Sequence, residues 1–172
     1  MKTRLVFGVM MMALIQCMRV GSSLAATSLP VATPSLQVVE ERPVVTRSGP
    51  LQVHFHYYVK FVCGTVLLGS EVAPGTFFTA VNVLNTGDAI GAGKITYTAT
   101  RTNGGGRVGA QNSVGALGHL LGFEIDCGDI GALFGEWNGL LIKGFLHIEA
   151  AERLFDAPLR VTTVYTAGPP PI

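Results

Sequence analysis

The stretch from Leu51 to Phe61 alternates without a break. Leu51, Val53, Phe55, Tyr57, Val59 and Phe61 are apolar, and Gln52, His54, His56, Tyr58 and Lys60 stand between them. A period of two gathers the apolar set on one face of an extended chain, whereas a helix would scatter it around the axis. This segment therefore predicts a long, half-buried strand, and a strand of that length needs a sheet. Other segments supply it. Thr76 to Asn85 reads as a second strand, closed by the turn signal Asn85-Thr86-Gly87-Asp88. Lys94 to Arg101 is a Thr-rich third strand that ends at Asn103-Gly104-Gly105-Gly106. Leu117 to Asp126 is a fourth, and Leu140 to Glu149, apolar on both faces, a fifth. Leu159 to Thr166 is the sixth. Asp129 to Phe134 and Ala150 to Leu154 read as short helical turns. Six to seven strands with little helix predict an all-β fold, an antiparallel β-sandwich of the immunoglobulin-like kind.

Composition agrees with a packed core. Hydrophobic residues are 48% and charged residues 13%, the latter about half the usual share of roughly 25%. Disorder and charged interaction tails are excluded on that ground. A net charge of +1 excludes a strongly electrostatic nucleic-acid binder.

The N-terminus reads as an export signal. Lys2 and Arg4 precede the apolar run Leu5 to Ile15, which is shorter than the roughly 20 residues a bilayer span needs. Ser23-Leu24-Ala25 offers small residues for cleavage after Ala25. Cys17 lacks the small preceding residue of a lipidation signal, because Gln16 stands there. The expected organisation is a signal peptide over 1–25, a Pro-rich linker over 26–50, a β-sandwich over 51–167 and a Pro-rich tail over 168–172. Within the linker, Leu36 to Glu41 is the one stretch with strand character. Cleavage removes all five methionines and leaves two cysteines, Cys63 and Cys127. Two cysteines left in an exported chain are expected to pair as a structural staple. The closed loop of about 65 residues would contribute roughly 4 kcal/mol in the chain-entropy model.

Several stretches carry a resemblance. They are Tyr58-Val59-Lys60-Phe61-Val62-Cys63-Gly64, Gly75 to Asn85, Phe123 to Cys127, Ile142 to Glu149, and Val161 to Ala167. Together they resemble a family of uncharacterised exported bacterial proteins with a β-sandwich-like domain, over residues 57–167. The resemblance implies the paired cysteines and the Asn at a strand end, and it implies no activity. The Gly-rich loop at 103–106 departs from the pattern.

Candidate chemistry is sparse. His54 and His56 stand two apart on one strand and so share a face, which is a metal-ligand spacing. A site needs a third ligand from His119, His147 or Glu149, if the sheet order allows. The plainer reading is a solvated face shared with Gln52, Tyr58 and Lys60. Glu124, Asp126 and Asp129 cluster around Cys127, but they lack the dense loop of a calcium site, and turn capping accounts for them. Ser113 and His119 do not compose a nucleophile motif, and the glycines from 104 to 109 do not make a phosphate loop. Phe134 and Trp137 lie among Gly131, Gly135 and Gly139; they are either a binding anchor or a cover for one end of the core.

The expectation is an exported, periplasmic or extracellular, non-enzymatic β-sandwich with a structural or binding role in the cell envelope. It needs no cofactor and, after signal cleavage, has no membrane span. Loops 101–115 and 128–139 would carry recognition. An envelope protein is the expected partner, and residues 36–41 are the strand that would add to a partner's sheet edge. On that idea residues 26–50 are dispensable for folding. The rival expectation is a small metal-binding protein or metal-dependent enzyme using His54 and His56.

Overall fold

In a computed structural model the long alternating segment is one 15-residue strand whose apolar set is buried and whose polar set faces out. Described residues are 34–49, 52–67, 73–103, 105–135, 137–152 and 158–169. Every described residue lies within one compact unit, Ala32–Ile172. The expected signal peptide and its cleavage point, residues 26–33 of the linker, and residues 170–172 of the tail all fall outside the described residues. The elements are β1 (Ser35–Glu41), β2 (Val44–Gly49), β3 (Gln52–Val66), β4 (Gly75–Asn85) and β5 (Ile95–Arg101). They continue with β6 (Asn112–Ser113), β7 (Gly122–Ile125), α1 (Cys127–Ala132), β8 (Ile142–Glu152) and β9 (Leu159–Gly168).

All strand pairings between these elements are antiparallel. One layer runs β1-β9-β4-β7. The other runs β2-β3-β8-β5-β6. Leaving aside β2, each layer has four strands, and most successive strands change layer. Such an order is that of a double-sheet jelly roll. The antiparallel sandwich is as expected, while its connection order is not immunoglobulin-like. An immunoglobulin sheet joins its first two strands as neighbours, whereas here β1 pairs with β9, the last strand. Alternation reports which residues point inward and says nothing about which strand lies beside which.

β3 belongs to both layers. Its residues Val53 to Cys63 pair with β8, and Gly64 to Val66 pair with β4. The crossing point is Gly64, at φ +104°. A Cβ there would stand 2.5 Å from the carbonyl oxygen of Leu140, so glycine is required for both the turn and the close approach. Core side chains come from both layers. Phe55, Tyr57, Val59 and Phe61 meet Leu146 and Ile148 of β8, Val81 and Val83 of β4, and Ile130 of α1. The Tyr57 hydroxyl ties the layers by donating to the carbonyl of Leu159 (2.8 Å).

The expected linker is corrected. Residues 35–49 form β1 and β2, so the sheet begins before residue 51. Pro34 precedes β1, and Pro43 sits in the turn between the two strands. Prolines at strand boundaries break no ladder, and proline spacing alone did not separate edge strands from a linker. β1 is paired along its whole length with β9, so residues 36–41 already have a partner within the chain. The fourth strand is also shorter than expected, because Leu120 takes φ 58° and only Gly122–Ile125 pairs. Ala150 to Glu152 continue β8 rather than turning helical; Arg153 and Leu154 lie outside the described residues. Asn85 is fully buried at the end of β4, where its Nδ2 donates to the carbonyls of Asp88, Leu117 and Gly118. A single amide thus anchors two loops.

Candidate functional site

β3 and β8 run side by side in the second layer, with His56 opposite Glu149 and Tyr58 opposite His147. The neighbours of these residues along each strand, Tyr57, Leu146 and Ile148, are fully buried. Alternation therefore places His54, His56, Tyr58, His147 and Glu149 on the outer face. There the ligand atoms of His56, His147 and Glu149 all lie within 4.8 Å of one another. Only His56 of the expected His54/His56 pair belongs to this cluster; the other two ligand atoms come from the adjacent strand, β8.

The nitrogens face each other directly. His56 Nδ1 and His147 Nε2 are 3.0 Å apart and share a hydrogen bond. The ring centres are 5.2 Å apart and the planes differ by 16°. The difference between the two distances is about two imidazole radii, so the rings meet edge to edge through their nitrogens. Two ligands on a tetrahedral ion with bonds of about 2.0–2.1 Å stand roughly 3.3 Å apart. An ion replacing the shared proton would thus require only a small opening of this pair. Tyr58 lies nearly parallel to His147 on the same face, with ring centres 4.9 Å apart. Burial holds His147 below the usual histidine pKa; the nearby His56 adds to the shift, and Glu149 partly opposes it. A neutral imidazole is the metal-binding form.

His54 is not in the cluster. Its Nδ1 lies 2.6 Å from Glu149 Oε1, so it holds the carboxylate rather than joining the ligand atoms. β2 completes the surround: Ser48 Oγ lies 3.0 Å from His54 Nε2, and Thr46 Oγ1 lies 2.8 Å from His56 Nε2. Such outer contacts fix ring orientation at a metal site. Sequence reasoning missed β2's hydroxyls because it placed Thr46 and Ser48 in a linker.

The remaining candidates are placed as follows. Cys63 and Cys127 are joined by a disulfide, with Cα atoms 5.5 Å apart. His119 lies in a loop, where its Nδ1 is 2.7 Å from the Gly87 carbonyl oxygen, and it is not part of the cluster. Asp126 and Asp129 form a capping box on α1, which is turn capping in its fullest form. Phe134 is buried in the core cluster and Trp137 packs against it, with the indole N–H donating to the Leu140 carbonyl. The segment 128–139 is thus largely committed to α1 and to covering the core.

No protein-family model matches the chain. No curated protein matches it either. Among solved structures, the chain is similar to the crystal structure of the infectious bursal disease virus VP2 subviral particle. That match has a TM-score of 0.35 and 8% identity, and it covers 80% of this chain and 34% of the other. A structure of the infectious bursal disease virus Gx strain is similar with a TM-score of 0.31 and 6% identity, over 80% of this chain and 33% of that one. The chain spans about a third of the length of these structures. The assignment of the fold rests on the strand order itself. Among the described residues, no helix is long and apolar enough to cross a membrane.

Proposed function

We propose that the chain is an exported metal-binding protein that holds a divalent transition ion on the outer face of its second layer. The observation that carries this reading is the convergence of His56, His147 and Glu149 within 4.8 Å. Two imidazoles and a carboxylate suit zinc, copper or iron(II) better than calcium or magnesium, which prefer oxygen. Three protein ligands on an outer face leave a coordination position for water or for a partner's side chain. Export is supported by the signal-like N-terminus and by the disulfide, which persists in oxidising compartments. A non-enzymatic binding role in the envelope, with another envelope protein as partner, fits a site that lies on a sheet face. No nucleic-acid partner is proposed, because the net charge is only +1.

The test is calorimetric titration of the purified protein with Zn²⁺ and, separately, Cu²⁺ at neutral pH. One equivalent is expected to bind. His147→Gln and Glu149→Gln should each weaken binding at least tenfold, and His54→Gln by about 10- to 100-fold, as for other outer-shell partners. His119→Gln should bind like the parent. The parent failing to bind either ion at 100 μM would overturn the proposal. So would His147→Gln retaining the parent affinity.

A further inference from the structure

A second place in the fold has the makings of a site, independently of the imidazole cluster. β2 leaves β3 at the pair Val44–His56. From Tyr57 to Cys63 that edge of β3 meets the first layer through side chains. The Tyr165 hydroxyl donates to the Lys60 carbonyl (2.7 Å), and Thr79 Oγ1 bonds both the N–H and the carbonyl of Val62. Among the described residues, no strand pairs with this edge between His56 and Gly64. The result is a cavity of about 510 Å³ lined by Gln37, Glu41, Lys60, Phe77, Phe78 and Tyr165, among others. That volume lies within the roughly 300–1,000 Å³ of small-molecule sites.

The lining is amphipathic in a specific way. Phe77, Phe78 and Tyr165 supply aromatic wall. Glu41 and Lys60 supply one charge of each sign, yet among the described residues they form no ion pair with each other. The ion pair seen on β1 belongs to Glu40, which reaches Arg160 instead. Burial pushes the Glu41 carboxyl above its ordinary pKa. Tyr165 is raised by burial and, in second place, by the charge of Glu41. The Thr163 side chain beside Glu41 opposes that shift only in part, and the desolvation cost that remains for a carboxylate with no cation beside it is one that a ligand's ammonium would relieve.

We infer that this cavity binds a small zwitterion with an apolar body, of the class of amino acids and short peptides, its ammonium end on Glu41 and its carboxylate end on Lys60. The aromatic wall takes the apolar side chains between them. Opposite charges at two points of one cavity select a molecule carrying both over one carrying either.

The experiment uses the full chain and three probes: the dipeptide Phe-Leu, its N-acetyl form and its C-terminal amide, each followed by calorimetry. Phe-Leu is expected to bind, with each blocked form about tenfold weaker. Glu41→Gln should abolish the discrimination against the N-acetyl form, and Lys60→Gln the discrimination against the amide. Both positions lie on the cavity's lining rather than in the core, and an unchanged urea midpoint confirms that each variant is folded. Absence of Phe-Leu binding at 5 mM would overturn the inference. So would equal binding of all three probes, which would indicate a merely apolar cleft. Zinc binding is measured on the same samples. Its retention in Glu41→Gln keeps the outcome for this cavity separate from that for the imidazole cluster.

Discussion

Reducing the Cys63–Cys127 bond should lower stability by an amount that loop length sets. The bridge spans 64 positions, and the chain-entropy relation converts that loop to about 4 kcal/mol at 25 °C. Both cysteines are buried, Cys63 at 0% and Cys127 at 2% exposure, and in the chain-entropy account the effect of reduction falls on the unfolded chain. The assay is a pair of urea titrations, one with the bridge intact and one in reductant after full unfolding. With an m-value of about 2 kcal/mol per molar, the midpoint should fall by roughly 2 M. The m-value itself should rise, because an open unfolded chain exposes more surface than a cross-linked one. Cys63→Ala with Cys127→Ala should give a midpoint insensitive to reductant. A fall of less than about 0.5 M on reduction, with m unchanged, would refute the loop argument: it would mean that the unfolded chain already keeps these positions close, or that the bridge strains the fold.

Tyr57 gives a prediction in the alkaline range. Burial raises its pKa to about 12, against an ordinary value of 10.0. A raised folded value favours the neutral phenol, so its contribution is intact below pH 10 and is lost as pH rises toward 12. Tyr57→Phe should be about 1–3 kcal/mol less stable at pH 8, because the Leu159 carbonyl loses its donor. The gap should narrow between pH 10 and 12 in urea titrations, and a constant gap would contradict the account. Gly64→Ala should lose at least about 2 kcal/mol, since the residue combines a positive φ with the close backbone of Gly139 and Leu140; thermal unfolding reads this directly. Deleting residues 1–41 should uncover the β9 edge and cause self-association on size exclusion, and a monomeric variant with unchanged melting temperature would show that β1 is dispensable.

Reading the sequence succeeded where local alternation carries the information. The strands around Phe55, Val81, Ala99, Leu146 and Val161 all follow from inward and outward residues, and β4, β5, β8 and β9 lie within a few residues of their expected bounds. It failed where pairing decides. β1 and β2 bury few side chains, so their patterns are weak; they exist because β9 and β3 offer edges to them. The site was half legible for the same reason. His54 and His56 share a face by spacing alone, but which of them meets His147 depends on the β3–β8 register, which no single segment encodes. Register also separates their roles: His56 faces His147 Nε2, while His54 takes hold of Glu149.

The pairing of β1 with β9 also sets a clock. Ser35 lies opposite Ala167, so the first strand of the fold has no partner until nearly the whole domain has been made. At about 5–20 residues per second, synthesis of the intervening chain takes roughly 7 to 26 s. For that interval a nascent chain presents Leu36 and Val38, which stay exposed even in the finished fold, on a strand with nothing beside it. The same adjacency brings the ends of the domain together once folding is complete. A short linker from the end of β9 to the start of β1, with new termini cut in a surface turn, should therefore give a permuted chain that folds to the same structure and no longer has to wait for its last strand.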